Sequence, residues 1–263
     1  MYQFCTLYSG SSGNATYIGD ESAGILIDIG RNAKQTTLAL DSLGLSPEAV
    51  KAVFVTHEHT DHVAGLRVFC KRHHIPVYAS LGTLQALDEK GCLDGNFPTY
   101  QMTDFADVGD YHIASFPISH DAAEPTGYRV TLPNGRCVAV STDLGVVTEA
   151  VRQAILGCST VLLESNHDRN MLFNGPYPYP LKRRIDSAEG HLNNEAAAET
   201  SAELLESGTT QIILGHLSSQ NNLPELAFET ASQSLRQDGA KIGLDIRLAV
   251  APRQNVLRTE VSE

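Results

Sequence analysis

Short apolar runs alternate along this chain with stretches of helical periodicity. Phe4 to Ile18 reads as two strands around the turn Tyr8 to Thr16. Gly24 to Gly30, Ala52 to Val55, Pro76 to Ala79 and Ala114 to Ile118 read as further strands. Gly127 to Leu132 and Cys137 to Val140 form a hairpin about Pro133-Asn134-Gly135-Arg136, a sequence suited to a tight turn. Thr160 to Leu163 and Thr210 to Leu214 are runs of the kind found in strands buried on both faces. Lys241 to Ala251 reads as the last strand, followed by a polar tail. Between them, helical spacing marks 32–43, 63–70, 81–90, 149–156, 195–206 and 224–237, with Gly44, Gly91 and Gly208 as stops. Ser46-Pro47-Glu48 reads as another helix start. The alternation predicts an α/β fold. Residues 165–190, rich in Pro, Tyr and Arg, have no clear period and are expected to form an irregular, ordered, lid-like segment. One domain spanning 1–263 is expected from the length.

Polar residues follow several of these strands in a telling way. Five apolar runs each lead into a ligand-type residue: His57, His120, Asp143, Glu164 and His216. In an open α/β sheet such endings gather at one rim. The first also opens a dense cluster, Thr56-His57-Glu58-His59-Thr60-Asp61-His62, set between a strand and a helix. His57 and His59, two apart, can reach one ion. Asp61 and His62, on the turn into the helix, reach a second. One tetrahedral ion needs three or four protein ligands. His57, His59, Asp61, His62, His120, Asp143 and His216 make seven, which suits two metals about 3.5–4 Å apart. The expected division gives His57, His59 and His120 to one metal, Asp61, His62 and His216 to the other, and Asp143 to both. Zinc, manganese and iron all accept such donors.

Other positions invite smaller readings. The bend Ser9-Gly10-Ser11-Ser12-Gly13-Asn14 is either a loop approaching the site or a plain hairpin. Asp28 either braces the site or caps a turn. His73 and His74 end a helix and complement its dipole, and His112 reads as a surface or core histidine.

Composition limits what the site serves. The formal net charge is −12, which argues against broad electrostatic attraction to nucleic acid while allowing local phosphate contacts. Five scattered cysteines with no C-x-x-C pair fit reduced thiols and a cytoplasmic location. No apolar run approaches membrane-spanning length, and the first residues lack the pattern of a signal peptide.

The order His57-x-His59-x-Asp61-His62, His120, Asp143, His216 resembles the metallo-β-lactamase superfamily across nearly the whole chain. The resemblance implies a four-layer αβ/βα sandwich with metals at one edge. Ser9 to Thr16, Ser119-His120-Asp121, Ser141 to Gly145, Glu164 to Asp168 and Gly190 to Asn194 are similar to the YycJ/WalJ-like branch, which is linked to DNA exonuclease activity. Asn193 departs from that pattern, where Ser is expected. The added domain by which larger ribonucleases of the superfamily clamp RNA is missing, so DNA is favoured over RNA. The implied function is a binuclear metal-dependent phosphodiesterase. In it Asp61 and Asp143 hold the attacking water, His191 donates a proton to the leaving oxygen, and Glu164 orients His191. His167, His191, Lys182, Arg183, Arg184 and Ser218 are candidate substrate contacts, each with a structural alternative: loop, helix cap or solvated charge. The rival readings are a small-molecule hydrolase acting on a lactam, thioester or small phosphodiester, and a non-catalytic metal-binding protein.

Overall fold

In the computed structural model, which describes residues 1–261, the strands divide into two seven-stranded sheets. β1 (Tyr2–Tyr8), β2 (Ala15–Gly19), β3 (Gly24–Ile27), β4 (Val50–Phe54), β5 (Val77–Ala79) and β6 (Thr99–Gln101) belong to the first. β7 (Phe105–Val108), β8 (Tyr111–Pro117), β9 (Thr126–Thr131), β10 (Cys137–Ser141), β11 (Thr160–Glu164), β12 (Gln211–Gly215) and β13 (Arg247–Val250) form the second. β14 (Leu257–Val261) returns to pair antiparallel with β1 at the edge of the first. Within the first sheet β3, β4, β5 and β6 run parallel, and within the second β10 to β13 do.

Side-chain alternation makes this a sandwich. In β4, Ala52 and Phe54 face one way and Val53 the other; in β3, Ile25 and Ile27 oppose Leu26. One set meets Tyr128, Val130, Val138, Val140, Leu162 and Ile213 of the second sheet to form the central core. The other set packs beneath α1 (Ala33–Ser42) and the helices after β4, α2 (Thr60–Val63), α3 (Leu66–His73) and α4 (Leu81–Glu89). Beyond the second sheet, α5 (Glu149–Ile155), α8 (Asn194–Glu206) and α9 (Pro224–Gln237) cover a third core. Helices, sheet, sheet and helices thus give four layers. Both sheets are covered on both faces, so their inner strands read as unbroken apolar runs. No helix among the described residues is long and apolar enough to cross a membrane.

Four expectations change. Residues 165–190 are not irregular throughout, because α6 (Arg169–Asn174) and α7 (Tyr179–Ile185) lie within them. The Asp168 carboxylate caps the first and Pro180 stands in the first turn of the second, so cap chemistry replaces periodicity in these short helices. Ser46-Pro47-Glu48 opens only a 3₁₀ turn, Pro47–Ala49, because Val50 already enters β4. The last predicted strand shrinks to β13, with 241–246 closed as a turn by Gly243 N–H to Ile246 O. The polar tail contains β14, and β6 and β7 were also missed: all three alternate or expose polar residues at sheet edges.

Candidate metal centre

The parallel strands of both sheets end on one rim, and their terminal residues build the centre. β4 leads through Val55 and Thr56 into His57, and α2 carries Asp61 and His62. β10 runs into Asp143, β11 ends on Glu164, β12 leads directly into His216, and His120 follows β8. Three of these exits turn through left-handed backbone at non-glycine residues: Asp28 (φ 62°), Asp143 (φ 61°) and His216 (φ 55°). Asp and His tolerate this region better than most residues, though it remains costly.

All seven expected metal ligands come together. Donor atoms of His57, His59 and His120 lie within 4.8 Å of one another, as do those of Asp61, His62 and His216. Asp143 joins His57 and His62 in one such group and Glu164, His191 and His216 in another. The imidazoles are braced from behind. His62 Nδ1 lies 2.8 Å from Asp28 Oδ2, and His57 Nδ1 lies 3.0 Å from Thr56 Oγ1. His120 Nδ1 is 3.1 Å from the Gly190 carbonyl. His216 Nδ1 and His191 Nδ1 both lie 2.8 Å from the same oxygen, Glu164 Oε1. A carbonyl or carboxylate can only accept, so in their neutral, metal-binding form His120 and His216 carry the proton on Nδ1 and turn a lone pair inward at Nε2. This is how metal-binding histidines are oriented.

Buried polar atoms without partners mark the interior. His57 Nε2, His216 Nε2 and Asp143 Oδ2 are buried and make no hydrogen bond. Asp143 Oδ2 lies 3.1 Å from His62 Nε2, but without the alignment of a hydrogen bond. Leaving such groups unmet is expensive. The charges point the same way. Burial opposes ionisation of Asp143, yet positive charge on His216 and His62 holds it well below the usual carboxylate range. Burial likewise opposes protonation of His216, and Asp143 overrides it, pushing the imidazole up to about 10. His57, with burial and then the His62 charge against it, falls well below its ordinary value. Imidazole lone pairs and carboxylates converging on an enclosed space that demands positive charge fit a divalent metal.

Other predicted residues sort cleanly. Asp28 braces: beyond His62 it accepts from Thr56 N–H at 2.8 Å. The bend after Ser9 approaches the site. Asn14 N–H donates to Asp61 O at 2.8 Å, its side chain lies 3.0 Å from His62 Nε2, and Ser9 Oγ accepts from His216 N–H at 2.8 Å. Gly30 supports this seat, since an added Cβ would fall 1.7 Å from Asp61 O. His191, half-buried, sits beside Asp143 and Glu164. Burial opposes its charge, but Glu164 outweighs burial and raises its pKa.

Three candidate substrate contacts are otherwise engaged. Lys182 is buried and donates its ammonium to Phe173 O and Gly175 O, both at 2.8 Å, closing the end of α6. The side chain of His167 is fully buried, with Nε2 3.3 Å from Asp186 Oδ1. Ser218 Oγ accepts from Asn221 N–H at 3.2 Å, shaping its own turn. Arg184 pairs with Asp121, next to His120. Arg183 is exposed and makes no ion pair among the described residues. The sequence points to the Ser9-to-Asn14 bend as a loop approaching the site, but not to the individual contacts made by Thr56, Asn14, Ser9 and the Gly190 carbonyl. Thr56 had a usable signal, a hydroxyl directly before the first ligand; the other three contacts depend on distant packing. A cleft of about 630 Å³ opens beside Asp61, with Ser12, Arg31, Asn32 and Thr60 in its walls.

Known proteins show the family to which this fold and sequence correspond. The beta-lactamase superfamily domain matches residues 24–217. Over 245 residues the chain is 40% identical to the exodeoxyribonuclease YycJ of Bacillus anthracis, spanning 91% of each protein. Over 251 residues it is 35% identical to the exodeoxyribonuclease WalJ of Streptococcus pneumoniae, spanning 94% of this chain and 93% of that one. In three dimensions it is similar to the metallo-beta-lactamase fold protein YhfI of Bacillus subtilis, with a TM-score of 0.71 over 98% of this chain and 100% of that chain. At 15% identity that likeness is one of fold.

Proposed function

The chain belongs to the beta-lactamase superfamily, and from its donor set we propose a metal-dependent phosphodiesterase that removes nucleotides from the ends of DNA. The observation that carries this is the pair of donor groups, His57/His59/His120 and Asp61/His62/His216, with Asp143 between them. They would hold two divalent ions, zinc or else manganese or iron, with Asp143 reaching both. Two such ions supply activated water near neutral pH and offset charge building on phosphoryl oxygens. Relatives at 35–40% identity over nine-tenths of the chain carry the name exodeoxyribonuclease, which supports DNA as substrate.

The chain's own residues then divide the work. Asp61 and Asp143 orient the attacking water from the rim. Glu164, 2.8 Å from His191 Nδ1, raises the pKa of the imidazole against burial and so favours its protonated form, leaving Nε2 for the leaving oxygen. Glu164 is a positioning residue. The cleft beside Asp61 gives room for a nucleotide, and Arg183, exposed on α7, contacts phosphate. Both sheets furnish donors to one centre, which supports residues 1–263 acting as one domain. Five free thiols support a reducing, cytoplasmic setting.

Metal analysis paired with end-labelled single- and double-stranded DNA and RNA tests the reading. Two bound ions per chain and stepwise release of nucleotides from DNA are expected. Metal-loaded protein that turns over no phosphodiester, small chromogenic ones included, overturns it.

A further inference from the structure

The outward face of α6 and α7 has a composition that the metal centre does not explain. Arg169 and Phe173 stand four apart on α6, and Tyr179 and Arg183 stand four apart on α7, so each pair shares one helix face. The four side chains line a cavity of about 310 Å³, floored by Asp186 and Ser187. Tyr179 is 63% exposed and Phe173 38%, and both belong to the lining of this one cavity. Arg169 shares its charge with Asp186 at 2.9 Å, while Arg183 is free of ion pairs among the described residues. Lys182, on the same helix, points inward instead. The cations left at the surface are therefore planar guanidiniums, which can stack as well as bind phosphate.

We propose that this cavity is a base-stacking site for the single-stranded end of a DNA substrate, with Tyr179 and Phe173 meeting bases and Arg183 meeting the backbone. The inference rests on the phosphodiesterase reading and deepens it. The arm is firmly joined to the centre. Ile185 O accepts from His191 N–H at 2.8 Å, and Arg184 pairs with Asp121 beside His120. Gly145 packs so closely on the arm that an added Cβ would sit 2.2 Å from Ser187 O. α7 thus carries both the cavity-lining Tyr179 and Arg183 and the contacts that join the arm to the centre. A strand held there would present a bond a few nucleotides away to the centre. In a chain of net charge −12, whole-surface attraction cannot gather DNA. Stacking supplies affinity that does not depend on net charge or on base sequence.

The test uses metal-loaded protein and a single-stranded oligodeoxynucleotide, intact or carrying abasic positions. Phe173→Ala with Tyr179→Ala should weaken binding of the intact strand about tenfold or more. It should also abolish the preference for intact over abasic strand. The chain has no tryptophan, so Tyr179→Trp introduces a single reporter. Its emission should be quenched by the intact strand and not by the abasic one. Active protein whose affinity and tryptophan emission ignore the bases overturns the stacking site and leaves the nuclease reading standing. Base-dependent quenching without any phosphodiester hydrolysis does the reverse. Protein that neither binds nor cuts DNA overturns both.

Discussion

The two rims that meet at the metal centre hold their imidazoles in different ways. On the first sheet, His57, His59, Asp61 and His62 come from one short stretch, and two linked residues brace them: Thr56 stands behind His57 and His62, and Asp28 accepts from Thr56 and stands behind His62. On the second sheet the donors arrive singly from separate strand ends, and one carboxylate braces two of the rings, His191 and His216. Glu164 also accepts from Leu144 N–H at 2.7 Å, so it ties the turn after Asp143 to the same point. The first rim shares its support between two linked residues, and the second rests it on one carboxylate. Damage to one brace should be partly carried by the other on the first rim and be uncompensated on the second.

The largest effect should come from the residue both rims share. Asp143→Ala should lose bound metal and phosphodiester hydrolysis together, read by metal analysis and a chromogenic diester. Next stands Glu164→Gln. One outer brace usually carries about 10–100-fold in affinity or activity, and this one serves two rings. Its loss should reach about a hundredfold or more in kcat, with weaker metal retention. Asp28→Asn should cost nearer tenfold, because Thr56 still stands behind both rings, and should weaken metal held through His62 more than metal held through His57. Equal losses in the two variants, measured by metal titration and kcat, would erase the contrast. His191→Ala sharpens it from another side. Turnover should fall about 10²–10³-fold with metal content unchanged, and an unchanged rate removes His191 as proton donor. Smallest for activity is Lys182→Met. It should lower stability by about 1–3 kcal/mol through the lost carbonyl contacts, seen in denaturant melts. The salt dependence of DNA binding should not move.

The same contrast governs what could be read from sequence. The contiguous ligands announce themselves, because four donors in six residues need no fold to bring them together. His120, Asp143 and His216 were legible only through apolar runs that stop at polar residues, which works because the parallel strands all finish at one edge. The bend from Ser9 to Asn14 reads equally as a loop approaching the site or as a plain hairpin. The contacts of Asn14 and Ser9 to His62 and His216 depend on how this bend near the start of the chain crosses between sheets. Lys182 misled for a related reason. Beside two arginines it reads as part of a solvated run, but helical geometry turns it toward the open carbonyls at the end of α6. The edge strands β6, β7 and β14 were hidden by their polar outer residues.

Asp28, Asp143 and His216 share a positive φ at the rim. Each such turn stores on the order of 1–3 kcal/mol of conformational tension. Glycine would relieve it but would bring neither donor nor brace. The mouth of the sandwich is therefore held under tension like a sprung clasp, with the side chains at these three turns fixed by the backbone as well as by their hydrogen bonds.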